Sequence, residues 1–197
     1  MEVLTGDSQV RIVNRRFEEI GAAFAQAAAS PYPGRVEEAA IRIAHALESR
    51  RKLLVFGNGG SASDAQHICG ELVVRYQSRR RALPAIALCS DAAVLTACGN
   101  DYSYEDIFAR QIEALGETGD VALGISTSGN SPNVVRAFEV ARRLGIFTIL
   151  LTGPKPGSAC DQSDMVLAAP GTNTARIQEF HIASYHAICE IIEERFL

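Results

Sequence analysis

From Leu53 onward the hydrophobic pattern of this chain changes character: before it, apolar side chains recur every three or four residues, and after it, short apolar runs alternate with amphipathic stretches. Val10, Ile12, Val13, Phe17, Ile20, Ala23, Phe24 and Ala27 predict a helix over residues 8–29. The breaker Ser30-Pro31-Tyr32-Pro33-Gly34 ends it. Ala39, Ile41, Ile43, Ala44 and Leu47 predict a second helix over 36–49. A leading helix with so broad an apolar face must cover something, either its own core or a neighbouring subunit.

The alternation then predicts strands at 53–56, 84–88, 121–125, 147–151 and 165–168, with 84–88 (PAIAL) read as short and buried. Helices are predicted at 62–76, 91–98, 104–115, 132–144 and 174–196, with a polar turn at Gly99-Asn100-Asp101-Tyr102. Strand and helix in regular succession imply an α/β fold: a three-layer, doubly wound, five-stranded parallel sheet with an N-terminal helical extension. Residues 1–34 form that extension and linker, and 35–197 the sheet domain.

Composition narrows the function. With 197 residues, 47% of them hydrophobic, the chain can build one good core. A net charge of −4 gives no electrostatic footprint for nucleic acid, and Arg79-Arg80-Arg81 reads as a solvated helix end or loop. Five cysteines without metal-finger spacing imply reduced, mostly buried thiols and a cytoplasmic address. Residues 1–16 lack the apolar core of a signal peptide, and no run suits a membrane span.

Two turns carry the candidate chemistry. After the first strand, Gly57-Asn58-Gly59-Gly60 lets the backbone bend and bring N–H groups close to an anion, and Ser61, Ser63 and Asp64 offer capping oxygens to the next helix. After the third strand, Ser126-Thr127-Ser128-Gly129-Asn130-Ser131-Pro132 opens another helix with four hydroxyls, a neutral site suited to a phosphate monoester. Taken alone, the first turn reads equally as a tight connection, and the second reads better as a turn that merely caps its helix. Together they fall where the strand order of a doubly wound sheet reverses, the usual place for a ligand. The first turn fits neither of two nucleotide-binding templates, G-x-x-x-x-G-K-[ST] and G-x-G-x-x-G. His67 and Glu71 share one helix face, as a hydrogen-bonded surface pair or as part of a site.

Gly57 to Ser61 (GNGGS), Gly124 to Ser131 (GISTSGNS) and Ala175 to His181 (ARIQEFH) together resemble the sugar isomerase (SIS) domain family and, within it, the phosphoheptose isomerases. The resemblance implies a flavodoxin-like sheet order, a sugar-phosphate substrate, and a homotetramer with sites at subunit interfaces. It implies substrate contacts from Asn58, Gly59, Gly60, Ser61, Asn100, Asp101, Ser126, Thr127 and Ser128, with Ser131 closing on the phosphate. Arg75 matches an arginine that reaches a phosphate in a neighbouring subunit. His67, Glu71, Gln178 and His186 match residues that touch substrate and form a zinc site, and the choice of His186 over His181 comes from the resemblance alone.

Aldose–ketose isomerisation shifts a proton between C1 and C2 through an enediol, which calls for a base at carbon and an acid at oxygen. Glu71 is assigned as base and His186 as acid, with Asp101 orienting substrate hydroxyls or His186, and Thr127 bonding the sugar. Gln178 and His186 are eight residues apart, about 12 Å of helix rise, so joint coordination of zinc calls for converging side chains or an irregular helix start. Bound to zinc, Glu71 is also a poorer base. The rival reading is a non-catalytic SIS regulator of replication initiation; relatives of that kind lack acid–base residues at positions 71 and 186. An isomerase of another sugar phosphate shares the same cradles.

Overall fold

The computed structural model, which describes residues 6–155 and 157–197, is organised around five parallel strands. They are β1 (Leu53–Gly57), β2 (Ala85–Ala87), β3 (Val121–Ser126), β4 (Phe147–Thr152) and β5 (Met165–Ala168), in spatial order β2-β1-β3-β4-β5. The expected doubly wound sheet is therefore present. Leu53 pairs with Val121 and Gly57 with Ile125, so β1 and β3 end level with one another. Their following turns emerge side by side at the point where the strand order reverses.

Helices cover both faces: α1 (Gly6–Ala28), α2 (Tyr32–Glu48), α3 (Gly60–Val73), α4 (Ala92–Asp101), α5 (Ala109–Leu115), α6 (Pro132–Arg143) and α7 (Thr174–Glu194). On one face Leu53, Val55, Leu123 and Ile149 pack with Ile43 and Leu47 of α2, Ile68 and Leu72 of α3, and Ile188 and Ile192 of α7. On the other, Leu54, Phe56, Ala122 and Leu150 pack with Ile112 of α5 and Val134 and Phe138 of α6. Because both faces are covered, the central strands read as continuous apolar runs instead of alternating ones. Each such side chain, fully buried, contributes roughly 1.5–3 kcal/mol.

Several expectations are corrected by this packing. β2 lies at the sheet edge and is only partly covered, with Ile86 exposed, so its short apolar run does not mark a buried strand. The breaker at 30–34 is shorter than expected: α2 begins at Tyr32, because a proline in the first turn gives up an N–H that has no helical partner there. Asn100 and Asp101 are not in a turn but in the last turn of α4. The helix expected over 104–115 is split into a 3₁₀ turn, Tyr104–Asp106, and α5.

Arg80 also departs from the solvated reading. Its side chain is 1% exposed and bonds the carbonyls of Glu71 and Leu72 at the end of α3. All five cysteines are free, as expected, and burial pushes the Cys69 and Cys189 thiols up to about 12.

α1 packs through its C-terminal half, where Phe24 meets Phe180 with ring centroids 4.4 Å apart and Ala27 is buried. Val10, Ile12, Val13 and Phe17 are exposed. Residues 1–5, part of the segment read as lacking a signal-peptide core, lie outside the described residues. Among the described residues no helix is long and apolar enough to cross a membrane.

Candidate active site

The turn between β1 and α3 is shaped by close approach. A Cβ at Gly57 would lie 2.8 Å from the Ile125 carbonyl oxygen of β3, and Gly59 holds a positive φ of 57°, which glycine adopts without strain. Gly59 is the N-cap of α3, and no side chain caps the helix. Ser61, Ser63 and Asp64 therefore do not serve as the expected caps. The positive end of α3 is left at the carboxyl ends of the central strands, the arrangement that favours an anion.

The turn after β3 is braced from two sides. Ser126 and Ser131 hydroxyls meet at 2.9 Å across it, and α6 begins at Ser131-Pro132 without a side-chain cap. The following loop pins it from outside, with Gly153 N–H donating to the Thr127 carbonyl at 3.2 Å and Ala159 N–H to the Gly129 carbonyl at 2.8 Å. Ser128 accepts from the Asn130 N–H, and Asn130 in turn accepts from Ser158.

A residue that sequence reasoning missed joins the two turns. Asn133, buried in the first turn of α6, donates to Asn58 Oδ1 at 2.9 Å and accepts from Asn58 Nδ2 at 2.9 Å. The Tyr104 hydroxyl also donates to Asn58 Oδ1, at 2.9 Å. The Asn58 side chain, expected on substrate, is thus committed to holding both turns in register. The available signal was a polar amide at a position of α6 that the apolar periodicity turns inward.

A cluster of two histidines and a glutamate forms where α3 and α7 run alongside one another. His67 Nε2 lies 2.9 Å from Glu71 Oε1, and the His67 and His186 rings meet edge to face with centroids 5.1 Å apart. One ligand atom each from His67, Glu71 and His186 all lie within 4.8 Å of one another. Two imidazoles and a carboxylate converging in this way fit a zinc ion with a position left open for water or substrate. The Tyr185 hydroxyl backs the group, 2.9 Å from His67 Nδ1.

The two α7 histidines take different fates. His181 is fully buried, donates from Nε2 to the Thr152 carbonyl at 3.1 Å, and has its pKa lowered to about 4 by burial, opposed by that hydrogen bond. It is a core residue. His186, half-buried, faces His67 and Tyr76.

Other expected site residues stand apart from this group. Gln178 lies over Gly60, where an added Cβ would come 2.5 Å from its Nε2, at the opposite end of α3 from Glu71. α7 is regular from Thr174, so the irregular start that would bring Gln178 and His186 together is not seen. Asn100 donates to Asp101 at 2.8 Å on the exposed end of α4, and Arg75 donates to the Gln77 carbonyl beyond α3. Among the described residues no hydrogen bond ties Asn100, Asp101 or Arg75 to His67, Glu71 or His186.

The chain has close relatives. A family model for the SIS domain matches residues 17–153. The phosphoheptose isomerase of Aquifex aeolicus is 47% identical over 186 residues, 94% of this chain and 95% of that protein. The solved structure of a phosphoheptose isomerase from Neisseria gonorrhoeae is 39% identical, covers 94% of this chain and 99% of its own, and superposes with a TM-score of 0.88. Another from Francisella tularensis is 38% identical, with 94% and 98% covered and a TM-score of 0.90.

Proposed function

This chain belongs to the SIS-domain family and, within it, to the phosphoheptose isomerases, and from that premise we propose that it interconverts sedoheptulose 7-phosphate and D-glycero-D-manno-heptose 7-phosphate. The reaction would supply bacterial nucleotide-heptose synthesis and, through it, lipopolysaccharide precursors. One observation carries the catalytic reading: His186 of α7 meets His67 and Glu71 of α3 in a single cluster.

The proton is moved by Glu71 and His186. With Nε2 as donor, His67 holds Glu71 Oε1, which leaves Oε2 to take the carbon-bound proton and return it to the neighbouring carbon. His186, on the other helix, serves the hydroxyl and carbonyl oxygens as acid. The phosphate sits in the neutral cradle of Ser126, Thr127, Ser128 and Ser131 with the N-termini of α3 and α6. Gly60 to His67 spans about 10 Å of helix rise, so an extended sugar reaches from cradle to cluster. Gln178, over Gly60, contacts the sugar along that path. Asp101 and Asn100 complete the site from α4, and Thr127 bonds the sugar.

His67, Glu71 and His186 are the residues that would hold zinc. Bound there, the ion supplies Lewis-acid stabilisation of negative charge on substrate oxygens. Glu71 acts as base only while it is not committed to the metal.

The working assembly is a homotetramer in the cytoplasm. The uncovered apolar stripe of α1, from Val10 to Phe17, supports burial against another copy. Arg75, exposed beyond α3, would exchange its bond to the Gln77 carbonyl for a neighbouring subunit's phosphate.

The test is direct. Purified protein, with zinc supplied, should convert sedoheptulose 7-phosphate into an aldose phosphate visible by proton NMR. An inactive protein that instead binds a replication initiator would overturn the enzyme in favour of a regulator.

A further inference from the structure

The peptide unit between Thr152 and Gly153, where β4 ends, bridges the core to the turn after β3. Its N–H, on Gly153, donates to the Thr127 carbonyl at 3.2 Å. Its carbonyl, on Thr152, accepts from the Ala169 N–H at 2.9 Å and from His181 Nε2 at 3.1 Å. A peptide unit is planar, so whatever orients its carbonyl also orients its N–H. Hydrogen bonds in series polarise one another where water is excluded, and His181 and Thr152 are both fully buried.

His181 enters this chain in one way only. A backbone carbonyl has no proton to give, so Nε2 carries the proton and donates, and Nδ1 is left buried without a partner. An unpaired buried polar atom is costly, and an apolar side chain would fill the same space without it. The imidazole therefore brings one thing that packing does not require, a hydrogen bond that ends at the candidate phosphate turn. α7 also presses on the same peptide sterically: a Cβ on Gly153 would lie 2.7 Å from the Thr127 carbonyl oxygen and 2.6 Å from Ile177 Cδ1, one helical turn before His181.

We propose that His181 is a positioning residue for the phosphate cradle: through the Thr152–Gly153 peptide it holds the Thr127 carbonyl toward β4, so that the turn from Ser126 to Ser131 presents amides and hydroxyls to the substrate's phosphate. An anion site needs N–H groups, not carbonyl oxygens, turned to the ligand. The Gly129 carbonyl is held outward in the same way, by the Ala159 N–H. His181 itself touches no substrate in this role. The role rests on the reading of that turn as the phosphate site, and its first readouts are independent of turnover.

The experiment titrates inorganic phosphate and follows the Gly153 amide by ¹H–¹⁵N NMR in the full-length wild type, His181→Leu and His181→Gln, with Leu47→Ala of α2 as a core variant on another helix. A glutamine amide can donate where Nε2 does, whereas leucine fills the space and donates nothing. His181→Leu should bind phosphate about 10-fold more weakly and exchange its Gly153 amide about 10-fold faster, the loss expected for one hydrogen bond. Its KM should rise by a similar factor with kcat within about twofold, because the phosphate is remote from the reacting carbons. His181→Gln should stay within about threefold of wild type in each, and Leu47→Ala should melt lower with phosphate affinity unchanged. Wild-type phosphate affinity in folded His181→Leu, or equal losses in Leu47→Ala, would overturn the link. So would a wild-type spectrum with the His181 proton on Nδ1 or with a rapidly exchanging Gly153 amide, whatever the variants do. Phosphate that shifts no amide between Ser126 and Ser131 would overturn the cradle and the link together. Phosphate binding that depends on the 181 donor in a protein without isomerase activity would retire the substrate assignment and leave the link standing.

Discussion

Asn58 and Asn133 exchange amide hydrogen bonds in both directions, each at 2.9 Å, and so lock the turn after β1 to the start of the helix after β3. The two residues are 75 positions apart, yet the relative placement of the two turns depends on both. Asn133→Ala leaves the partner amide unsatisfied in a buried place. It should cost about 1–3 kcal/mol of stability and raise KM for the sugar phosphate more than it lowers kcat. Urea unfolding and steady-state kinetics check the two parts.

Glu193 of α7 clamps the chain beyond α3. It accepts from the backbone N–H groups of Tyr76, Gln77 and Ser78 at 3.0, 2.9 and 2.7 Å, and the buried Arg80 guanidinium lies 3.8 Å away. Burial works against ionisation of Glu193, but the three amides and Arg80 together outweigh it and hold the carboxyl below its usual range. The stability it confers is therefore fully present above the unfolded pKa, about 4.3, and is lost as pH falls through the lower folded value. Glu193→Ala should cost roughly 3–5 kcal/mol at neutral pH, because it strands a buried charge, and thermal melts between pH 3 and 7 should lose part of the acid-side slope.

His181 carries a second pH signature with the same sign. Its folded pKa of about 4 lies below the ordinary value near 6.5, so between these limits the unfolded chain binds a proton that the native chain does not. Stability should fall as pH drops from about 6.5 to 4, by at most about 1.4 kcal/mol per pH unit from this group. His181→Gln should remove that dependence. His186→Ala should leave it in place while slowing turnover about 10²–10⁴-fold.

Gly60→Ala separates folding from function. The added methyl meets the flexible end of Gln178, not backbone, so the fold should tolerate it, with alanine favouring the helix by up to about 1 kcal/mol. Displacement of Gln178 should nonetheless lower kcat/KM on sedoheptulose 7-phosphate. A melting temperature that drops with the activity would mean that the methyl disturbs the helix start itself.

The parts of this molecule legible in sequence are those set by local chemistry. The apolar runs at Leu53 and Val121 named central strands, because covered strands cannot alternate, and the glycines and serines that follow them marked both turns. What sequence concealed is fixed by distant partners. Asn133 looks like an ordinary helix-start residue until Asn58 is brought against it. Arg80 reads as a solvated charge until Glu193, 113 positions later in the chain, folds over it. Ile86 looks buried because sheet order, not composition, puts β2 at the edge. His181 and His186 share one helix, and only the packing of α7 on α3 and β4 sends the first into the core and the second to Glu71. The serines and Asp64 of α3 resemble caps, but the first turn closes on Gly59, and Asp64 turns inward behind His67.

The central claim is that Glu71 and His186 together move the substrate proton, and isomerisation in D₂O followed by NMR tests it most directly. Wild type should convert sedoheptulose 7-phosphate to the aldose with deuterium entering at C1 or C2. Glu71→Gln and His186→Ala, each melting as the wild type does, should both lose about 10²–10⁴-fold in rate. Turnover with deuterium incorporation at the wild-type rate in either folded variant would contradict it.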